Sequence, residues 1–239
     1  MTMPIDERPV VALLPMKANS ERVPGKNFRP LAGKPLFRWM LDTLLDCARI
    51  GEVIVNTDAR AIIEAAGLPD DPRVRIRDRR PELCGDLVSM NRIIEDDLAD
   101  SQGQVYLMTH TTNPLLGRGT IEAGIESFLR GLAQDTYDSL FTVNRIQTRF
   151  YRADGSPVNH DPDNLVRTQD LEPWFEENSN LYLFTKESFS ATRARIGRRP
   201  MMLETSRLES IDIDTPEDWE FAELAAELHA RRGAAGGSR

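Results

Sequence analysis

The sequence predicts an α/β fold, a parallel sheet covered by helices on both faces, and three observations carry that expectation. Short apolar runs alternate with amphipathic stretches over the first 145 residues. The first run, residues 10–14, has no polar break, as expected of a strand buried on both sides. The amphipathic stretches repeat their apolar residues at helical spacing and end at turn residues.

Each element follows in order. Residues 10–14 form the first strand. Residues 36–49 carry Leu36, Met40, Leu44 and Leu45 at helical spacing. Residues 53–55 are the second strand, and residues 59–66 are a short helix ended by Gly67. A weaker strand covers 74–76. A helix over 87–98 takes Asp86 as its N-cap. Residues 104–108 form a strand, followed by Pro114, a helix over about 120–132 and a strand over 139–143. The rhythm breaks near Arg145. Residues 145–180 are polar, with turn signals at Asp154-Gly155-Ser156-Pro157 and Asp161-Pro162-Asp163, and predict a small β-rich excursion. A strand over 181–184 returns to the core. The closing helix, 216–228, has Thr215 as cap, Pro216 at its first position and Asp218 three residues after the cap. The Gly/Ala/Arg-rich residues 231–239 predict a flexible tail.

Length and composition narrow the function. A chain of 239 residues buries one full core, so a single domain is expected over 1–239. The apolar share of 40% and charged share of 28% are ordinary for a globular protein. A net charge of −8 argues against nucleic acid as a partner. No apolar stretch approaches the ~20 residues of a membrane span. Only five apolar residues follow Asp6, Glu7 and Arg8, which is not the pattern of a signal peptide. Cys47 and Cys84, without a C-x-x-C spacing, read as free thiols of a reducing cytoplasm. His110, His160 and His229 are too scattered for a zinc site.

Against this acidic background one loop stands out. Three of the four lysines are Lys17, Lys26 and Lys34, while the other 26 basic residues are arginine. The segment from Pro15 to Asn27 follows the first strand and offers Lys17, Asn19, Ser20, Arg22, Gly25 and Lys26. Cations, small side chains and backbone amides after a first strand suit phosphate, and a solvated basic turn is the plainer alternative. The loop is neither a G-x-x-x-x-G-K-[ST] nor a G-x-G-x-x-G motif.

Four further segments could carry chemistry. In Ile211-Asp212-Ile213-Asp214-Thr215, extended backbone puts both carboxylates on one face before a helix, a natural Mg²⁺ site. The alternative has Asp214 or Thr215 capping the helix and Asp212 solvated. Asn56-Thr57-Asp58 ends a strand, where ligands of open α/β sheets bind, and Asp58 also suits a plain N-cap. His110-Thr111-Thr112-Asn113-Pro114 ends another strand as a polar loop. Arg79-Arg80-Pro81-Glu82-Leu83 either reaches a nucleotide or forms a surface turn.

Taken in order, these segments resemble the CMP-sugar synthetases, the cytidylyltransferases that activate sialic acid and related ulosonic acids. Pro15 to Asn27 is similar to that family's opening loop, continued by Leu31-Ala32-Gly33-Lys34-Pro35-Leu36. Val53-Ile54-Val55-Asn56-Thr57-Asp58 resembles its V-x-V-S-T-D, and Arg79 to Asp86 its R-P-x-E-L-x-x-D with one residue of slippage. Leu107 to Leu115 resembles L-L-Q-P-T-S-P-L, Asn178 to Tyr182 resembles N-G-A-I-Y, and Ser210 to Asp218 resembles S-I-D-I-D-T-x-x-D. The segment from Ser20 to Lys26 also looks like S-x-R-L-P-G-K of the Kdo cytidylyltransferases.

The resemblance implies a Rossmann-like three-layer nucleotidyltransferase core with a dimerisation excursion at 145–180. It implies transfer of CMP from CTP to the anomeric hydroxyl of an acidic 2-keto sugar, with Mg²⁺ as cofactor and a homodimer as the assembly. The catalytic set is Lys26, Arg22 and Asp214. The nucleotide set is Pro15, Met16, Lys17, Asn19, Ser20, Asn27, Arg79, Arg80 and Ser89. The acceptor set is Asp58, His110, Thr112, Arg167, Gln169, Asn178 and Tyr182, with Asp212 and Asp214 for metal. Departures from the family pattern fall mainly on the sugar side. Glu21 stands for a lysine, His110 for a glutamine, and Ser179-Asn180 for Gly-Ala. A Kdo-like or phosphonate acceptor, and a non-catalytic nucleotide-binding protein of the same fold, are the competing readings.

Overall fold

A computed structural model describes residues 8–236. The elements are β1 (Val10–Leu13), β2 (Pro30–Leu31), β3 (Lys34–Pro35), α1 (Leu36–Asp46), β4 (Ile50–Thr57), α2 (Arg60–Ala65), β5 (Val74–Asp78), α3 (Met90–Asp100) and β6 (Val105–Thr109). After these come α4 (Arg118–Ala133), β7 (Ser139–Ile146), β8 (Trp174–Thr185), α5 (Lys186–Thr192), β9 (Pro200–Glu204) and α6 (Pro216–Gly236).

Seven strands form one sheet in the order β5-β4-β1-β6-β8-β7-β9, and β2 and β3 form a separate two-stranded ribbon. Only β8 runs against its neighbours. Side chains alternate along β1. Val10 and Ala12 join a cluster with Phe37, Met40 and Leu44 of α1 and Ile121, Ile125 and Phe128 of α4. Val11 and Leu13 face the other way, onto Ile94 and Leu98 of α3 and Phe189 of α5. The result is helix, sheet, helix, which is why β1 had to be apolar throughout. A third cluster seats Trp219 and Ala222 of α6 against Val23, Leu31 and Ile213, tying the basic loop and the Asp212–Asp214 segment to one helix.

The elements read from sequence are present, with three corrections. Asp86 does not cap α3. Ser89 does, accepting a hydrogen bond from the Asn91 amide, and the helix starts at Met90. The excursion is not β-rich. Its ends extend β7 and β8 into a long antiparallel pair, while between them the chain is irregular, with one isolated bridge, Tyr151 to Pro157, and a single 3₁₀ turn at Thr168–Asp170. Side chains replace a ladder there: Asn159 bonds the Phe150 amide and the Thr148 carbonyl, and Phe150 stacks on Trp174 at 5.1 Å. The closing helix, read from sequence over 216–228, runs on through residue 236; residues 237–239 lie outside the described residues.

Sequence reading missed four elements. The two-residue strands β2 and β3 leave no periodicity to detect. The helix α5 is short and is held by a Thr185–Ser188 capping box. The edge strand β9, Pro-Met-Met-Leu-Glu, lacks β-branched residues. Cys47 and Cys84 are both free thiols; burial pushes the Cys47 thiol up to about 11.

Candidate active site

The parallel strands β4, β1 and β6 end at the same edge of the sheet, and the connection order reverses between β1 and β6. A cleft of about 480 Å³ opens there, where ligands bind in open α/β sheets. Its floor is the start of the basic loop. The Met16 amide donates to the Asn56 carbonyl (3.0 Å), which extends the β1–β4 pairing past the strand. Gly25 turns the loop with φ +63°, a left-handed value that glycine adopts freely. Asn27 is locked, its amide donating to the Lys17 carbonyl (2.8 Å) while its oxygen accepts from Thr111 (2.7 Å).

The loop's three cations each meet a carboxylate. Lys17 pairs with Asp86. Arg22 reaches Asp214 at 2.9 Å, and Lys26 reaches the same oxygen at 3.5 Å while donating to the Ile213 carbonyl. Burial lowers the Lys26 ammonium below its ordinary value, and Asp214 and Asp212 act against that. Asp86 is held below the usual carboxylate range by Lys17 first and by a hydrogen bond with Glu21 second. The departure at Glu21 therefore places a second carboxyl beside Lys17's partner.

The Asp212–Asp214 segment arrives from the far side. The Ile213 amide donates to the Thr112 carbonyl (2.9 Å). Asp218 accepts from the amides of Asp214 (3.1 Å) and Thr215 (2.7 Å), and its own amide donates to the Thr215 hydroxyl (3.2 Å), completing the acidic capping box. That frees Asp214 from capping. Asp212 is not solvated either. Its Oδ1 is buried without a hydrogen-bond partner, and burial raises its carboxyl above the ordinary range, opposed by a hydrogen bond with Thr112. An orphaned carboxylate oxygen beside a second carboxylate is a hard oxygen site that suits Mg²⁺. Among the described residues no cluster of three or more His, Cys, Asp or Glu could hold a metal ion alone.

Of the residues singled out from sequence, Pro15, Met16, Lys17, Ser20, Arg22, Lys26, Asn27, Arg79, His110, Thr112, Asp212 and Asp214 line this cleft. Arg79 is largely immobilised, donating to the Asn56 side chain (2.8 Å), the Asn56 carbonyl (2.9 Å) and the Met16 carbonyl (3.1 Å). Burial brings the His110 imidazole down to about 4, helped by the charges of Arg195 and Lys26, so it is neutral at pH 7.

The others lie elsewhere. Asn19 is exposed. Arg80 pairs with Asp96 at 3.0 Å. Ser89 caps α3 and borders an adjoining groove. Asp58 accepts the Ala18 amide at 2.7 Å, fixing the basic loop and leaving α2 without a side-chain cap. Arg167 is tied to Asp170 (2.8 Å), and the Gln169 carbonyl accepts from Gln147 (3.2 Å). Asn178 is occupied with Asn144, Thr205 and Ser210. Tyr182 is buried under the cleft, its hydroxyl bonding Glu177 and Ser179. The cleft also recruits Asp86, Met90, Thr111 and Ser179, which sequence reading did not place in the site. Asp86, Thr111 and Ser179 each stand in a segment that resembles a family motif, whereas no motif position marks Met90.

A parallel sheet whose switch point carries a cationic loop facing two carboxylates defines a nucleotide-handling enzyme of the nucleotidyltransferase class. Residues 11–232 match the family described as Cytidylyltransferase, and the chain belongs to that family of CTP-dependent nucleotidyltransferases. It is 30% identical over 237 residues to CMP-N,N'-diacetyllegionaminic acid synthase of Legionella pneumophila, covering 92% of this chain and 97% of that one. It is 24% identical over 221 residues to pseudaminic acid cytidylyltransferase of Campylobacter jejuni, covering 90% and 94%. The fold matches the solved structure of CMP:2-keto-3-deoxy-manno-octonic acid synthetase complexed with CTP, at a TM-score of 0.66 and 16% identity over 92% of this chain and 99% of the other.

Proposed function

We propose that this chain transfers CMP from CTP to the anomeric hydroxyl of a 2-keto-3-deoxy sugar acid of the nonulosonic class and releases pyrophosphate. One observation carries the reading: Lys17, Arg22 and Lys26 face Asp212 and Asp214 across a cleft that also receives His110 and Thr112. The relatives named for pseudaminic and diacetyllegionaminic acids support the acceptor class. The hydroxyl oxygen bonds to the α-phosphorus, losing its proton, as the anhydride bond to the β-phosphate breaks. Catalysis of this kind rests on positioning and charge neutralisation.

Lys26, seated in the wall, and Arg22, at the mouth, neutralise the phosphates. Asn27 orients the ribose region from its fixed amide, and Pro15, Met16, Ser20 and Arg79 shape the nucleotide end. His110 and Thr112 face the acceptor. Asp212 and Asp214 would hold Mg²⁺, which when bound supplies charge neutralisation on the phosphate oxygens. With Asp214 so engaged, Arg22, now paired with it at 2.9 Å, would be free for the phosphates.

A homodimer through the excursion belongs to the same reading. Tyr151, Val158, Leu165, Val166, Trp174 and Phe175 are all exposed on it, an unusual density of large apolar side chains for a monomer surface. Sedimentation should report a dimer, and Trp174→Glu should shift it to monomer. Two free thiols favour a cytoplasmic setting. No described helix is long and apolar enough to cross a membrane.

The test titrates CTP, UTP, ATP and GTP with Mg²⁺ into wild type and Lys26→Ala by calorimetry, then scores pyrophosphate release against acidic sugars. Selective CTP binding, weakened by the substitution, and release with a nonulosonic acid are expected. CTP binding without release for any acceptor would instead favour a non-catalytic nucleotide-binding protein, the reading that Glu21 beside the loop supports.

A further inference from the structure

Arg195 lies in the turn between α5 and β9, with its guanidinium 3.9 Å from the Tyr182 ring centroid. The side chain is only 20% exposed, yet its donors are barely used. The Met108 sulfur lies at 4.0 Å, and Glu177, which accepts from the Tyr182 hydroxyl, forms an ion pair with the guanidinium at 3.6 Å, longer than a hydrogen bond. The other enclosed arginines differ. Arg73, Arg77 and Arg79 each place several N–H groups on carboxylate, amide or carbonyl oxygens. Stacking on Tyr182 holds the plane of Arg195 without consuming its fork of donors.

The position of that fork gives it a purpose. Arg195 lines a groove of about 330 Å³ with Ser89 and Met90, and Met90 also lines the main cleft. Ser179 enters the cleft nearby, at an irregularity in the β7–β8 register, with φ +59°. A non-glycine residue in that left-handed region is strained, and such strain persists where the surroundings over-determine it. Here the Tyr182 hydroxyl, 3.2 Å from the Ser179 oxygen, supplies the hold. Tyr182 thus couples the guanidinium plane to the hydroxyl that faces the cleft.

We propose that Arg195 is the residue that recognises the carboxylate of the acidic acceptor, with Ser179 and His110 orienting the carbon skeleton beside it. The inference rests on the acidic-sugar reading of the cleft and assigns its specificity. A guanidinium with a free fork binds a carboxylate through two parallel N–H···O bonds. Arg167, the cation expected from sequence to meet the sugar acid, is 73% exposed, pairs with Asp170 and does not line the cleft of its own chain.

The test couples the acceptor's carboxylate to Arg195. Pyrophosphate release is measured with CTP, Mg²⁺ and N,N'-diacetyllegionaminic, pseudaminic or Kdo acid, each as the free acid and as its C1 carboxamide. The proteins are wild type, Arg195→Gln, Arg195→Lys and Arg167→Gln. Wild type should prefer the acid by roughly 100-fold in kcat/KM, the scale of a site left with unpaired polar groups. Arg195→Gln should raise the acceptor KM, leave the CTP KM unchanged and bring acid and amide together, while Arg167→Gln keeps the preference. An Arg195→Gln enzyme that binds CTP normally and still prefers the acid overturns the inference, as does loss of the preference in Arg167→Gln. If Arg195→Gln fails to bind CTP, Arg195→Lys decides. Its preference should fall to about tenfold because a point charge lacks the fork, and an undiminished preference overturns the inference. Wild type that releases no pyrophosphate with any of the acids overturns the acidic-sugar reading itself, and this inference with it.

Discussion

Two sets of cation–carboxylate pairs sit on either side of the basic loop, and they are built for opposite purposes. At the cleft mouth, Arg22 and Asp214 are 62% and 40% exposed, and Lys17 and Asp86 are similarly open. Behind the loop, Arg77 is 12% exposed and Asp97 1%, with Asp96 alongside. Exposed pairs contribute little to stability and exchange partners readily, so arriving phosphates can take over the cations. Buried pairs do not exchange, because a charge left behind has no water to replace its partner. The buried set instead extends to the loop. Arg77 bonds Asp97, Asp97 accepts from Asn56 at 2.6 Å, and Asn56 accepts from Arg79, which clamps the Met16 carbonyl. One set waits for the substrate, and the other holds still the backbone on which the substrate rests.

Breaking the buried set should have the largest effect. Arg77→Ala leaves Asp97 without a cation, while Arg80 still holds Asp96, and should cost about 3–5 kcal/mol of stability by chemical denaturation. A loss below about 1 kcal/mol would place this network with ordinary surface pairs. Next come Lys26→Ala and Asp212→Asn, each expected to lower kcat/KM by at least ~100-fold with folding intact, as lost transition-state electrostatics do. Near-normal turnover in both would remove the catalytic reading of the cleft.

A pH experiment sharpens the comparison. Burial raises the Asp97 carboxyl to about 6, outweighing Asn56 and Arg77. A folded value above the unfolded one gives stability that is fully present below the ordinary carboxylate value and lost as pH rises through 6. The stability of wild type minus that of Asp97→Asn should therefore fall between about pH 4 and 6, by on the order of 3 kcal/mol. A flat difference would mean Asp97 is ionised throughout. The smallest effect belongs to the mouth. Asp86→Asn frees Lys17 and should change stability by less than about 1 kcal/mol while tightening CTP. Weakened CTP binding would show that Asp86 supports the nucleotide and does not merely hold its cation.

The two halves of the cleft differ in how far the sequence revealed them. Lys17, Arg22, Lys26 and Asn27 stand in one short loop after an apolar strand, and Asp212 and Asp214 alternate before a capped helix, so local pattern was enough to bring them forward. The acceptor side is assembled from single residues of distant segments. Arg195 lies in an arginine-rich turn with no motif, and Ser179 gains its exposure from an irregularity in strand pairing that no periodicity reports. Asp86 suited a helix cap equally well on sequence, and only the position of Lys17 across the cleft shows its actual partner.

By itself the sequence determined the layers, because strands buried on both faces and helices buried on one leave different periodicities in the chain. It also determined the phosphate loop, the paired aspartates and the closing capping box, each set by residues a few positions apart. Tertiary structure alone decided which carboxylate each cation meets, that Asp58 serves the Ala18 amide, and that Arg195 stacks on Tyr182. Those choices depend on distances between segments up to about two hundred residues apart, which exist only once the sheet has brought its strand ends to one edge.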